Sequence, residues 1–319
     1  MNGNIIQSIP LSGVTNTDWE EISQDHDFVY VGDFGNNQSG NRTDLKILRI
    51  DKNSILAGSP VVETINFSYS NQTNFSSTGS SNTDFDCEAF IVSVDSIFLF
   101  TKQWISQKTS VYSLPKTPGT HIANLKSAFD VQGLITGATY LETKKLIVLS
   151  GYTKELQPFV ELLYDFDGYS FFSGNKRKIQ LSLPFHQVEG IATTNGLKYY
   201  ISNEQFEQPP FINTPQKLHI LDLSNFLGDY LKNLFNSVPA QSLSKDIIFP
   251  NPATDFISLK TDKSILPSTY RILNQSGNIV LTGTLMLENQ GINISRLSSG
   301  LYILEIEKEK IQSFKVIKK

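Results

Sequence analysis

The chain repeats itself with a period near 50 residues, and no other feature constrains its fold as much. Four segments share one pattern: WEEISQDHDFVYVGD (Trp19–Asp33), CEAFIVSVDSIFLFTK (Cys87–Lys102), GATYLETKKLIVLSG (Gly137–Gly151) and VEGIATTNGLKYYISNE (Val188–Glu204). Each has a Glu near its start, replaced by Ala138 in the third, then a short apolar strand. A polar turn follows, then a second strand of apolar and aromatic residues that ends in a polar cluster. The aligned positions Glu20, Glu88, Ala138 and Glu189 stand 68, 50 and 51 residues apart. The longer first interval holds NFSYSNQTNFSSTGSSNTD, whose Asn, Ser and Thr read as a surface loop. A third strand follows in every copy (DLKILRID, TSVYSLP, PFVELLYDF, KLHILDLS), and a fourth in most (VVETINFSY, a weaker SAFDVQGL, RKIQLSLP). Four antiparallel strands per unit at this period predict an all-β chain with β-propeller blades.

The spacing predicts about four complete blades over residues 1–240. The alternation in KLHILDL and FVELLYD fits half-buried strands, and the helical pattern is confined to Asn225–Asn236. GNIIQSIPLSG fits an outermost strand, so the chain is expected to begin within a fifth blade. No basic n-region or apolar h-region of a signal peptide precedes it, an absence that such a truncated start explains. Residues 241–246 read as a linker, and 247–319 as a separate small domain with alternating strands and turn signals.

Composition narrows the function classes. Charged residues make up 18% of the chain and aromatic residues 11%, so much of its polarity comes from neutral side chains that suit pleated sheet. Residues 1–244 carry a net charge of −7 and residues 245–319 of +3, and neither part has the basic face of a nucleic-acid binder. The single cysteine, Cys87, lies between Phe85 and Phe90 and reads as a small buried hydrophobe. No apolar run reaches the ~20 residues of a membrane-spanning helix.

The motifs DWEEI…YVGDFGNN and EGIA…YISNE resemble secreted β-propeller proteins of Bacteroidota, over about Asn2–Leu223. The Glu–Gly–Ile pattern resembles phytase-like and esterase-like propellers more weakly. In IIFPNPATDFISLK, YRILNQSGNIVLTG and INISRLSSGLYILEIEKEKIQSFKVIKK, the FPNP opening, the Ser276–Gly277 turn, the LSSGLY motif and the basic end resemble a type IX secretion C-terminal sorting domain. That resemblance implies an Ig-like β-sandwich read by the secretion machinery, through Pro250, Asn251, Pro252, Gly300, Tyr302, Lys315, Lys318 and Lys319. It implies a secreted or outer-membrane cell-surface location; the lack of a membrane-length apolar run leads to the expectation of no transmembrane segment. An Ig-like carbohydrate-binding or adhesive module is the competing reading.

In a propeller the first strand of each blade lines the axis, so Glu20, Glu88 and Glu189 are expected near one mouth. Asp18, Glu21, Asp33, Asp86 and Glu204 lie at related strand ends. Three readings stand. Recurrence favours a structural role, with each Glu accepting backbone hydrogen bonds between blades. Asp33, Asn36, Asn37, Asn203 and Glu204 carry the oxygen types of a Ca²⁺ site. Metal-assisted ester or phosphoester hydrolysis is the third. Lys102 is the local counter-charge, with Arg42 a second basic candidate. Trp104 and Tyr152 offer stacking surfaces for a ligand. The four histidines occupy unrelated positions, and no nucleophile elbow, zinc motif or phosphate loop is present. The expected function is a non-catalytic, exported ligand-binding or interaction module with an unknown extracellular ligand. The alternative is a Ca²⁺-dependent phytase-like or esterase-like hydrolase. The pair Asn203–Glu204 is the expected ligand contact.

Overall fold

The computed structural model describes residues 5, 7–236, 247–260, 266–287, 289–307 and 311–319. The expected linker, 241–246, lies outside the described residues. The chain is all-β and divides into two compact units, Met1–Leu234 and Phe235–Lys319.

The first unit is a series of blades, one per repeat, each built of antiparallel strands. Blade 1 contains β1 (Trp19–Gln24), β2 (Phe28–Asp33), β3 (Lys46–Asp51) and β4 (Val62–Tyr69), with a one-turn helix α1 (Lys52–Leu56) after β3. Asp51 caps α1 by accepting the Ser54 N–H at 2.7 Å. Blade 2 is β5 (Asp86–Val92), β6 (Ser96–Lys102), β7 (Thr109–Pro115) and β8 (Gly119–Phe129). Its fourth strand thus begins at Gly119, ahead of the expected SAFDVQGL, because β8 is long enough to pair with β7 and with blade 1. Blade 3 is β9 (Leu134–Leu141), β10 (Leu146–Tyr152), β11 (Pro158–Tyr164) and β12 (Asn175–Gln180). Blade 4 has a three-stranded sheet of β13 (Val188–Thr193), β14 (Lys198–Asn203) and β17 (Lys217–Asp222), with a side hairpin of β15 (Phe206–Gln208) and β16 (Ile212–Thr214). Helix α2 (Ser224–Asn236) follows. Residues 5 and 7–13 form no strand where an outer strand was expected, and Pro10 there has no N–H to give a ladder.

The inner strands follow one another, β1 beside β5, β5 beside β9, and β9 beside β13. Most strands of blades 2 and 3 are buried on both faces, which explains their continuous apolar runs. Phe34, Phe67, Phe90 and Tyr112 fill the space between blades 1 and 2. Phe98, Phe100, Phe159 and Phe171 fill that between blades 2 and 3. Tyr199, Ile201, Leu227 and Leu231 close blade 4 and α2 onto blade 3. One join is not visible in the repeat. β4 and β8, the outer strands of successive blades, pair in parallel from Ile65↔Gly119 to Tyr69↔Ala123, fusing two blades into one eight-stranded sheet. In blade 4 the alternation of KLHILD places Leu218 and Ile220 on the solvent side of the sheet with Tyr200, while Tyr199 and Ile201 face the core.

The second unit has two sheets around one core. One contains β18 (Ile247–Phe249), β19 (Phe256–Lys260) and β22 (Gly291–Asn293). The other has the order β21 (Ile279–Leu285), β20 (Ser268–Leu273), β23 (Gly300–Glu307) and β24 (Ile311–Lys318). Ile257, Leu259 and Ile292 of the first sheet meet Ile272, Leu304, Ile306 and Val316 of the second. Gly277 turns the β20–β21 hairpin with φ +77°, a conformation that suits glycine.

Phe90 is fully buried and meets the Phe34 ring edge-on, with centroids 5.7 Å apart. Phe90→Ala is expected to cost about 3–5 kcal/mol in urea unfolding, against under ~0.5 kcal/mol for exposed Ile22→Ala.

Candidate functional site

Each inner strand breaks its pairing register near the start. The shift falls between Trp19 and Glu21 in β1, Cys87 and Ala89 in β5, Ile135 and Gly137 in β9, and Val188 and Ile191 in β13. The extra residue of each bulge is Glu20, Glu88, Thr136 and, together with Gly190, Glu189. A bulge bends the strand and re-aims the side chain it releases. The recurring Glu is therefore a bulge residue. The third-repeat equivalent is Thr136, two residues before the Ala138 given by apolar alignment. Apolar pattern reports which face is buried and cannot see a one-residue insertion.

The bulge residues lock blades in different ways. Thr136 Oγ1 donates to the Val188 carbonyl at 2.5 Å, and Ser150 Oγ to the Glu189 carbonyl at 2.7 Å, tying blade 3 to blade 4. Glu88 Oε2 accepts from Lys102 Nζ at 2.5 Å, with both side chains buried. Lys102 lies 4.7 Å from the Trp104 ring centroid and 5.1 Å from that of Tyr152. Trp104 Nε1 donates to Asp86 Oδ2 at 2.8 Å, while Asp86 Oδ1 accepts the Asn36 N–H at 2.7 Å. Trp104 and Tyr152, expected as ligand-stacking surfaces, thus enclose the protein's own ammonium. Glu21, next to the bulge residue Glu20, accepts a backbone bond across blades, from the Ala138 N–H of blade 3 at 3.3 Å.

The electrostatics follow from placing several carboxylates around Lys102. Burial, then the charges of Glu88 and Asp18, push Glu20 up to about 9. Burial raises Glu21 to about 8. Glu88 is pushed up to about 7 by burial, against the pull of Lys102. Glu189 is driven well above the carboxylate range by burial and by Glu88. Burial disfavours the charge on Lys102, but Glu88, Tyr152 and Glu189 raise it overall.

Three of the remaining expected ligand donors, Asp33, Asn36 and Asn203, are held by partners within the protein. Asp33 is buried, paired to Arg42 at 3.0 Å and Lys46 at 3.1 Å, and accepts the Thr17 and Asp18 N–H groups. Asn36 Nδ2 donates to the Phe85 carbonyl, and the Asn37 carbonyl accepts the Ser81 N–H. Asn203 Nδ2 donates to the carbonyls of Glu204 and Pro215, and its Oδ1 meets His219 Nε2 at 2.9 Å. Asn203 therefore fastens the β15–β16 excursion, and Glu204 is solvent-exposed at its start. Among the described residues no three His, Cys, Asp or Glu side chains are placed to hold a metal. Of the expected Ca²⁺ donors, Asp33 and Asn36 in blade 1 and Asn203 in blade 4 sit in ion pairs and hydrogen bonds within the protein, and Glu204 faces solvent. Two histidines that looked unrelated do meet: His186 and His219 stack edge-on at 5.2 Å.

Beside this cluster a cavity of about 170 Å³ is lined by Thr17, Asp18, Gly35, Asn36, Gln38, Ser39 and Arg42. Gly35 is required there, because a Cβ would lie 2.2 Å from Glu20 Oε1 and 2.4 Å from Asp18 Oδ2. Arg42 is held by Asp33, by Asp44 at 2.9 Å and by the Gly35 carbonyl at 2.8 Å. Burial raises the pKa of Asp18, against Arg42.

In the second unit the motif residues have distinct places. Pro250, Asn251 and Pro252 lie between β18 and β19 and run along β24, whose end carries Lys315 and Lys318 before the terminal Lys319. Gly300 opens β23, and Tyr302 is buried, its hydroxyl donating to the Ser298 carbonyl at 2.8 Å.

The folded carboxylates keep protons that an unfolded Glu, with a pKa of 4.5, releases. Unfolding between pH 4.5 and about 9 therefore sheds protons, and stability falls as pH rises through that window. The thermal midpoint is expected to be ~5 °C or more lower at pH 9 than at pH 5. Glu20→Gln should flatten the difference; a midpoint that rises with pH would contradict the assignment.

Residues 247–319 match the family model of the secretion system C-terminal sorting domain. A comparison with curated proteins gives no match. Among solved structures, PorZ, an essential surface component of the type-IX secretion system of Porphyromonas gingivalis, is 10% identical, with a TM-score of 0.30. The alignment covers 95% of this chain and 51% of PorZ, so the chain spans about half its length. A putative 6-phosphogluconolactonase from Bacteroides uniformis is 8% identical with a TM-score of 0.31, covering 91% and 82%. The Bombyx mori GH32 β-fructofuranosidase BmSUC1 is 10% identical with a TM-score of 0.30, covering 94% and 86%. At these TM-scores the structural likenesses carry no argument about fold or activity. Among the described residues no helix is long and apolar enough to cross a membrane. The chain thus ends, over residues 247–319, in a secretion system C-terminal sorting domain that marks it for export.

Proposed function

We propose that the chain is an exported, non-catalytic Bacteroidota protein, secreted or surface-held, whose propeller binds a small neutral hydroxylated ligand in the blade 1 cavity. The observation that carries this reading is the bonded state of Arg42. Among the described residues it is the one cation lining the cavity, and its guanidinium is taken up by Asp33, Asp44 and the Gly35 carbonyl. A phosphate ester needs open Arg or Lys donors. Of the rest of the lining, Thr17 and Gln38 offer a hydroxyl and an amide and Asp18 a carboxyl; Ser39 Oγ, which donates to Asn41, keeps lone pairs to accept, and the Asn36 amide is held by Phe85 and Arg42. These suit a polyol or a single sugar unit, and the volume of about 170 Å³ is of that scale. Phytase-like hydrolysis has less support, because the oxygen donors it would use are spread over several blades.

Calorimetric titration with hexoses, inositol and inositol phosphate tests the reading. Binding of a neutral polyol is expected, weakened about tenfold or more by Gln38→Ala with Ser39→Ala, as two lost hydrogen bonds predict. Binding of inositol phosphate with no neutral ligand bound would overturn it.

A further inference from the structure

The last strand of the sorting domain, β24, lies at the edge of its sheet. Its outward backbone groups are taken up by a segment that cannot be an ordinary strand. Pro250 and Pro252 have no N–H, so neither can donate to a neighbour. Asn251, between them, turns its side-chain amide onto β24 instead. Its Nδ2 donates to the Lys315 carbonyl at 2.7 Å, and its Oδ1 accepts the Ile317 N–H at 2.9 Å. Ala253 continues with backbone groups. Its N–H donates to the Ile317 carbonyl at 2.8 Å, and its carbonyl accepts the Lys319 N–H at 2.8 Å. A parallel bridge, Ala253↔Lys318, results. Four successive outward groups of β24 and the terminal residue are thereby paired. Only a side chain with both a donor and an acceptor can serve at position 251; aspartate lacks the donor and alanine both.

An open edge is a template for pairing with other chains and lets its strand fray. We propose that Asn251 is a positioning residue for export. It closes the β24 edge so that Phe249–Ala253 and the basic end, Lys315 to Lys319, are presented to the secretion machinery as one folded edge. The determinant is then composite, joining the first and last residues of the domain, and is not a linear C-terminal tail. This inference rests on reading residues 247–319 as the export signal.

The test uses the full chain, carried across the inner membrane by an appended signal peptide in a host with type IX secretion machinery. The exported and retained fractions are measured by immunoblot. Asn251→Ala is expected to lower the exported fraction about tenfold or more, as loss of both side-chain hydrogen bonds predicts. It should also speed amide exchange at Ile317 and Lys319. Ile257→Val, a core variant accepted as control if it lowers the thermal midpoint at least as much, should export like the parent. Should Asn251→Ala fail to fold, Asn251→Asp, which keeps the acceptor, serves in the same comparison. Export of the Asn251 variant within about twofold of the parent, or an equal loss in the core control, would overturn the proposal. A chain lacking residues 247–319 separates the two levels: if it is exported normally, the export reading itself fails.

Discussion

One buried ammonium holds the centre of the propeller together. Lys102 binds Glu88 directly, sits against Trp104 and Tyr152, and feels the charge of Glu189. Carboxylates collected in a poorly solvated space would repel one another if all were ionised. Lys102 is their counter-charge, and burial together with the neighbouring carboxylates raises the proton affinity of Glu20 and Glu189. Breaking a buried pair by removing one partner costs far more than the pair contributes. The rest of the unit is arranged around that constraint: Trp104 both covers Lys102 and bonds Asp86, and Asp86 in turn seats the Asn36 loop of blade 1.

The bulges explain how a sheet protein puts charges there. In a regular strand, alternation commits every second side chain to a face packed by the next blade. A bulge adds a residue outside that alternation, free to turn toward the axis. Blades 1, 2 and 4 place Glu at this position, and blade 3 places Thr136, which bonds the next blade's backbone. Recurrence of Glu therefore reports a recurring backbone irregularity. The chemistry particular to this chain lies beside it, where Gly35 leaves room for Asp18 and Glu20.

The sorting domain solves an edge problem with the same economy. Two prolines exclude ordinary pairing, and the amide between them does the pairing with its side chain. The motif Phe-Pro-Asn-Pro is thus a structural part with a stated job, as well as a mark of the family.

The sequence by itself determined the repeat, the all-β class, the aromatic core and the C-terminal sorting domain. These follow from periodicity and from a motif read in order along the chain. It also placed Glu20, Glu88 and Glu189 in equivalent positions, because their neighbours share an apolar pattern. Tertiary structure alone decided what those residues touch. Thr136 could be matched to them only through strand register, and Asn203 proved to be a fastener because His219 and Pro215 approach it from later in the chain. The pairing of β4 with β8, the Lys102 enclosure and the Asn251 contact join residues dozens of positions apart. A hydrogen bond depends on distances of tenths of an ångström and on direction. Local sequence fixes faces and turns; folding alone sets those distances between remote residues.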